Sequence, residues 1–277
     1  MIDAHHHVWD LSVRDQEWIT GPKMAPLRRD FGVEDLPAAA SGVTATVLVQ
    51  TIAVPEETPE FLALAEAHDL IAAVVGWTDL TAPSAADDLD ALRAAPGGRY
   101  LRGIRHQVQG EADPRWLCRD DVRRGLAAVG RAGLVYELLT LPHQLPAAIE
   151  TAAALPDLAF VLDHCSKPPV ASGVLEPWAT LVGELAARPN VTCKLSGLLT
   201  EADWDGWAAA DLRPYVDVVL EAFGPERVMF GSDWPVCLLA APYESVLETT
   251  RSLTAHLSEA EREEVFGGVA ARVYGIA

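Results

Sequence analysis

Basic residues are scarce in this chain. Lys and Arg together number 21 against 40 Asp and Glu, a formal net charge of −19 over 277 residues. A field of that sign disfavours nucleic acid and anionic lipid, whose binding depends on cations that neutralise phosphates. It also fails to draw an anionic substrate from a distance, so any anion site must be built locally. Long hydrophobic runs are lacking too, and none approaches the roughly 18 residues of a membrane span. The opening Met1-Ile2-Asp3-Ala4 has neither the basic nor the apolar region of a secretory signal. The expectation is a soluble, cytoplasmic protein acting on a small molecule, with no nucleic acid or membrane partner. Homo-oligomerisation is left open.

Cysteines are few. Cys118, Cys165, Cys193 and Cys237 form no C-x-x-C pair, which argues against a zinc ribbon or a redox dithiol. No G-x-S-x-G, G-x-x-x-x-G-K or G-x-G-x-x-G stands in a usable context, so the serine hydrolase, NTPase and dinucleotide readings lose their main support. Hydrophobic residues, by contrast, make up 50% of the chain. That excludes disorder and allows one large core.

A pattern repeats along the chain. A short apolar run ends in polar residues, and a stretch with helical spacing follows. Eight such runs occur: Ile2–His7, Val43–Thr51, Ile71–Trp77, Leu101–His106, Leu134–Leu139, Ala159–His164, Val191–Ser196 and Arg227–Asp233. Helical stretches are expected over 56–68, 84–95, 115–131, 144–154, 175–187, 207–223, 243–257 and 259–273. Ser84 and Ser258 are candidate caps, the latter with Glu261 three residues on, and Gly133 is a candidate stop. Residues 8–42 read as a loop with a short helix near Glu34–Ala40. The alternation predicts a parallel sheet, and eight repeats in this length predict a single (β/α)₈ barrel domain over residues 1–277.

In such a barrel the active site lies at the C-terminal ends of the strands. Those ends carry His5 and His7, Gln50 and Thr51, Trp77, Arg105 and His106, Glu137, Asp163 and His164, Lys194 and Ser196, Ser232 and Asp233. Strand alternation puts His5 and His7 on one face, about 7 Å apart, with His6 behind. Two imidazoles on the barrel axis suit a divalent metal or a polarised carbonyl. Asp233 is a candidate general base and His164 a candidate partner in the same layer. Arg105 and Lys194 are candidates to hold a substrate carboxylate or hydroxyls, Glu137 to ligate a metal or to pair with these cations. Trp77, Trp234 and His106 are further candidates for substrate contact.

Five segments occur in order: Asp3-Ala4-His5-His6-His7-Val8-Trp9-Asp10, Gly103-Ile104-Arg105-His106, Asp163-His164 with Lys167-Pro168, Lys194-Leu195-Ser196-Gly197-Leu198, and Gly231-Ser232-Asp233-Trp234-Pro235. Together they resemble the amidohydrolase superfamily, in its amidohydrolase-2 branch of sugar-lactone and pyrone-dicarboxylate lactonases. The resemblance spans roughly residues 2–275. It implies a (β/α)₈ barrel and hydrolysis of a lactone ring. It also implies His5 and His7 as the H-x-H of the first strand, His164 as the later strand histidine, Asp233 as general base, and Arg105 and Lys194 as substrate contacts. No lysine stands on the fourth strand to be carboxylated, and one later histidine replaces two, so a binuclear centre is not expected. The branch includes enzymes with one divalent metal and enzymes with none, so the cofactor expectation is one divalent ion, zinc first, or none. A metal-dependent decarboxylase is the alternative function.

Overall fold

The computed structural model describes residues 1–277. Eight strands form one parallel sheet in chain order: β1 Ile2–His6, β2 Ala45–Val49, β3 Ile71–Gly76, β4 Leu101–His106, β5 Val135–Leu138, β6 Phe160–Leu162, β7 Val191–Leu195 and β8 Val228–Phe230. Valine and its β-branched or apolar neighbours dominate these strands because both faces are buried, one towards the axis and one towards the helices. Beyond the end of β8 the sheet meets β1: Asp233 N donates to His5 O at 2.9 Å and His7 N to Trp234 O at 2.7 Å. The hydrogen bonds that bring the two edges together also set Asp233 beside the histidines.

Helices α1 Glu57–Ala67, α2 Ala85–Ala94, α3 Asp120–Arg131, α4 Leu145–Ala154, α5 Trp178–Ala186, α6 Ala209–Phe223 and α7 Tyr243–Leu253 follow β2 to β8 in turn. Each buries one stripe against the sheet. In α1 this is Phe61, Leu62 and Ala65, and full burial of a side chain like Phe61 or Leu62 contributes about 1.5–3 kcal/mol. Acidic Asp120 and Asp121 open α3 and Arg131 closes it, in keeping with the helix dipole. Gly133 then stops it with φ +69°.

No α-helix follows β1. The expected short helix near Glu34–Ala40 is two 3₁₀ turns, Val33–Asp35 and Ala39–Ser41, joined by a third at Pro22–Leu27. A row of aromatic edges fastens this long loop to the barrel: Trp18 to Trp9 (5.7 Å), Trp9 to Phe31 (5.2 Å) and Phe31 to Trp234 (5.4 Å). Ser84 does not cap α2; its hydroxyl donates to Asp88 instead. Ser258 does cap α8, Glu259–Glu263, with its hydroxyl accepting from Glu261 N and Glu261 accepting from Ser258 N. A π turn over Glu264–Gly268 leads into α9, Val269–Tyr274. α9 plugs the barrel floor, where Val269, Ala270 and Tyr274 pack on Val47, Ala73, Val135, Val161 and Met229. No helix is long and apolar enough to cross a membrane.

Candidate active site

The register of β1 against β2 shifts between Asp3 and His6. Beyond that irregularity His5 and His7 face the axis, while His6 turns outward to Thr46 at 3.0 Å. Asp3, also on the outer side, fixes the strand end by accepting from His5 N, Ser232 N and the Tyr243 hydroxyl.

Asp233 Oδ1 is ringed by imidazoles. Nε2 of His7 lies 3.6 Å away, and Nε2 of His5 and of His164 each lie 3.8 Å away. Each ring is held from behind. His7 Nδ1 lies 2.7 Å from Val49 O. A carbonyl only accepts, so Nδ1 carries the proton and Nε2 presents a lone pair. His164 Nδ1 pairs with the Ser196 hydroxyl at 2.9 Å. Burial keeps all three rings neutral: His5 falls well below the ordinary range, His7 falls as well, and His164 drops to about 4. Burial alone would raise Asp233, but its interactions with His164, His7 and the Lys167 cation outweigh that, and its pKa is lowered. The carboxylate is therefore ionised at neutral pH.

Beneath this ring lies a sealed ionic layer. Lys194 Nζ contacts Glu137 Oε2 at 2.7 Å, Asp163 Oδ1 at 3.2 Å and His5 Nδ1 at 3.1 Å. Arg105 donates to Asp163 Oδ2 (3.0 Å), to Gln50 Oε1 (3.0 Å) and to the Gln50 carbonyl, and stands 3.3 Å from His5 Nε2. Tyr274, reaching up from α9, donates to Glu137 Oε1 at 2.5 Å. Buried charges persist only when paired in this way. His5, Glu137 and Asp163 form a second cluster of donor atoms. The Lys194 ammonium sits among them, so that cluster already holds a cation.

The pocket above is lined by His7, Arg105, His164 and Asp233, with Trp18, Thr51, Gln107, Gln109, Leu139, Lys167 and Val236. Five sequence candidates lie elsewhere. Lys194 is shut below His5, because Glu137 and Asp163 draw it inward, and Glu137 lies with it rather than beside Asp233. Trp77 donates to His106 at 3.0 Å, and His106 pairs with Glu111, so both face away from the pocket floor. Trp234 is buried against Phe31 and supports the β1–β2 loop.

Sequence reading gave no separate role to Asp163, Gln50, Ser196, Trp18 or Lys167. It also missed the backbone that aims them. His164, Cys165, Ser166 and Lys167 all have φ between +50° and +58°, and Asp233 has +58°. Left-handed residues other than glycine cost about 1–2 kcal/mol each and concentrate at functional sites. Here the run carries both His164 and Lys167 to the pocket, pinned by Trp178 Nε1 on Cys165 O at 2.7 Å and by Ser166 on Thr140 at 2.8 Å.

A parallel eight-stranded barrel with an imidazole-ringed carboxylate at its C-terminal mouth defines an amidohydrolase. The chain belongs to that family: the Amidohydro_2 model, described as Amidohydrolase, matches residues 2–276. It is 44% identical to an L-fucono-1,5-lactonase of Burkholderia multivorans, over 99% of this chain and 96% of the relative. It is 39% identical to an L-fucono-1,5-lactonase of Burkholderia ambifaria, over 99% and 95%. A crystal structure of a Burkholderia multivorans amidohydrolase with bound zinc superposes with a TM-score of 0.94 at 42% identity, covering 100% of this chain and 99% of that one.

Proposed function

We propose that the protein hydrolyses a neutral sugar lactone, L-fuconolactone or a close relative, to the open aldonic acid. The observation that carries the chemistry is the single ionised carboxylate, Asp233, standing among three neutral imidazoles on the pocket wall. The choice of a sugar lactone rests on the activity for which the two Burkholderia relatives are named.

Asp233 accepts a proton from a pocket water as the water oxygen attacks the lactone carbonyl carbon. Arg105 has only donors to offer and lines the same pocket, so it stabilises negative charge as it grows on the carbonyl oxygen. Collapse of the tetrahedral species breaks the bond to the ring oxygen. The proton held by Asp233 passes to that oxygen as it leaves. His7 and His164 keep Asp233 ionised between turnovers. Trp18 offers an apolar face to the ring.

The donor set also fits a divalent ion. His7 Nε2 is a lone pair by virtue of Val49, and donor atoms of His5, His164 and Asp233 lie within 4.8 Å of one another. Three imidazole nitrogens and a carboxylate select zinc, which His5, His7, His164 and Asp233 would hold. Bound there, the ion would supply Lewis-acid polarisation of the carbonyl and a more acidic attacking water. The test of the function is acid release from L-fuconolactone, followed by pH-stat, with Asp233→Asn as the blank.

A further inference from the structure

β4 ends at His106, and the chain turns through Gln107, Val108, Gln109 and Gly110 to Glu111. His106 closes this turn. Its Nδ1 accepts from Trp77 Nε1 at 3.0 Å, so Nε2 carries the proton and donates to Glu111 Oε1 at 2.8 Å. The ring stacks on Trp116 at 4.3 Å and 10°. The turn is pinned at three more points: Gln109 N on Leu139 O at 3.0 Å, Gln144 Nε2 on Val108 O at 2.8 Å, and Gln107 Nε2 on Thr51 O at 2.7 Å.

So rigid a turn presents two amides to the pocket. That of Gln107 is engaged with Thr51. Gln109 is different, because its Oε1 is buried and has no hydrogen-bond partner. Buried acceptors without partners are rare and disfavour the state that contains them. Turned over, the amide would bury its NH₂ at the same place, and a hydroxyl group, which both donates and accepts, would satisfy either atom.

We propose that Gln109 reads a hydroxyl of the substrate, and that His106 and Glu111 are positioning residues that hold its turn against the pocket. The proposal deepens the lactonase reading and rests on it. Trp77 and His106, two of the sequence candidates that lie off the pocket, then act on specificity through Gln109.

The experiment measures kcat/KM of the wild type, Gln109→Met, Gln109→Glu and Glu111→Ala on L-fuconolactone and on analogues that each lack one hydroxyl. The wild type should lose about tenfold or more on one analogue, because a site built to bond a hydroxyl rejects the molecule without it. Gln109→Met should fall about tenfold or more on the parent and cease to distinguish that analogue. Gln109→Glu keeps an acceptor at the same reach and should retain the discrimination. Glu111→Ala should raise KM more than it lowers kcat and weaken discrimination against the same analogue. The proposal is overturned if Gln109→Met stays within about twofold of wild type on the parent, or loses one common factor on every analogue. A wild type inactive on every lactone overturns the lactonase reading, and this inference with it.

Discussion

Nζ of Lys194 stands 3.1 Å from Nδ1 of His5, on the side of the imidazole opposite Asp233. One ring thus separates the two halves of the barrel interior. Above it is the single carboxylate that faces the pocket. Below it, Lys194 and Arg105 stand against Glu137 and Asp163, and of the four only Arg105 also lines the pocket.

Removing one member of that sealed layer leaves a buried charge without its partner. Lys194→Met keeps the side chain's length and deletes its charge, stranding Glu137 while Asp163 keeps Arg105. The expected loss is about 3–5 kcal/mol of unfolding free energy, read from urea titration. A loss below about 1 kcal/mol would mean that Lys194 is not the counter-ion of the layer.

His164 is held in place by a residue that has no side chain. Gly197 has φ +67°, and a Cβ placed there would lie 2.6 Å from His164 Nδ1. Gly197→Ala should push the ring off Ser196 and lower kcat by about tenfold or more, since displacements near 1 Å carry costs of this order. Ser196→Ala, which removes only the hydrogen bond, should cost less. Equal and small effects from both would show that the position of His164 does not limit turnover.

Acid should weaken the fold. His5, His6, His7 and His164 are all depressed by burial, His6 to about 3 and His164 to about 4, whereas in the unfolded chain each returns to about 6.5. As pH falls from 6.5 towards 4 the unfolded chain takes up protons that the folded chain refuses, so stability declines. Glu137, raised by burial to about 7, acts in the opposite direction, as do Asp3 and Glu57. Glu201 is raised as well and opposes the loss, whereas Asp163 and Asp233, both lowered, add to it as pH nears 4, so the net direction is a loss of stability in acid. Urea midpoints at pH 7 and pH 5 measure it. A higher midpoint at pH 5 would contradict the neutral state of the histidines.

If His5, His7, His164 and Asp233 hold zinc, titration against a competing chelator should return one ion per chain. His164→Ala should weaken that affinity about tenfold or more. A stoichiometry of zero in the wild type would leave Arg105 as the electrophile facing the substrate.

Much of this site was legible before folding. The eight apolar runs fell on the eight strands because each is short, β-branched and bounded by helical spacing, and alternation alone separated His5 and His7 from His6. Register was not legible: Ala4 and His5 both turn inward across an irregularity that no local pattern announces. Pairings across the barrel were only partly legible. Glu137 was expected to ligate a metal or to pair with Arg105 and Lys194, and it pairs with Lys194. Arg105 with Gln50 and Glu137 with Tyr274 join residues 55 and 137 positions apart, and nothing in either segment names the other. The left-handed run 164–167 contains no glycine, so no residue type marked it.

The central claim is that Asp233 activates water against a lactone carbonyl. The most direct measurement compares acid release from L-fuconolactone by wild type and Asp233→Asn, with substrate affinity followed for both. The account predicts a fall in kcat of about 10²–10⁴-fold with affinity largely kept. Near-normal turnover by Asp233→Asn would contradict it.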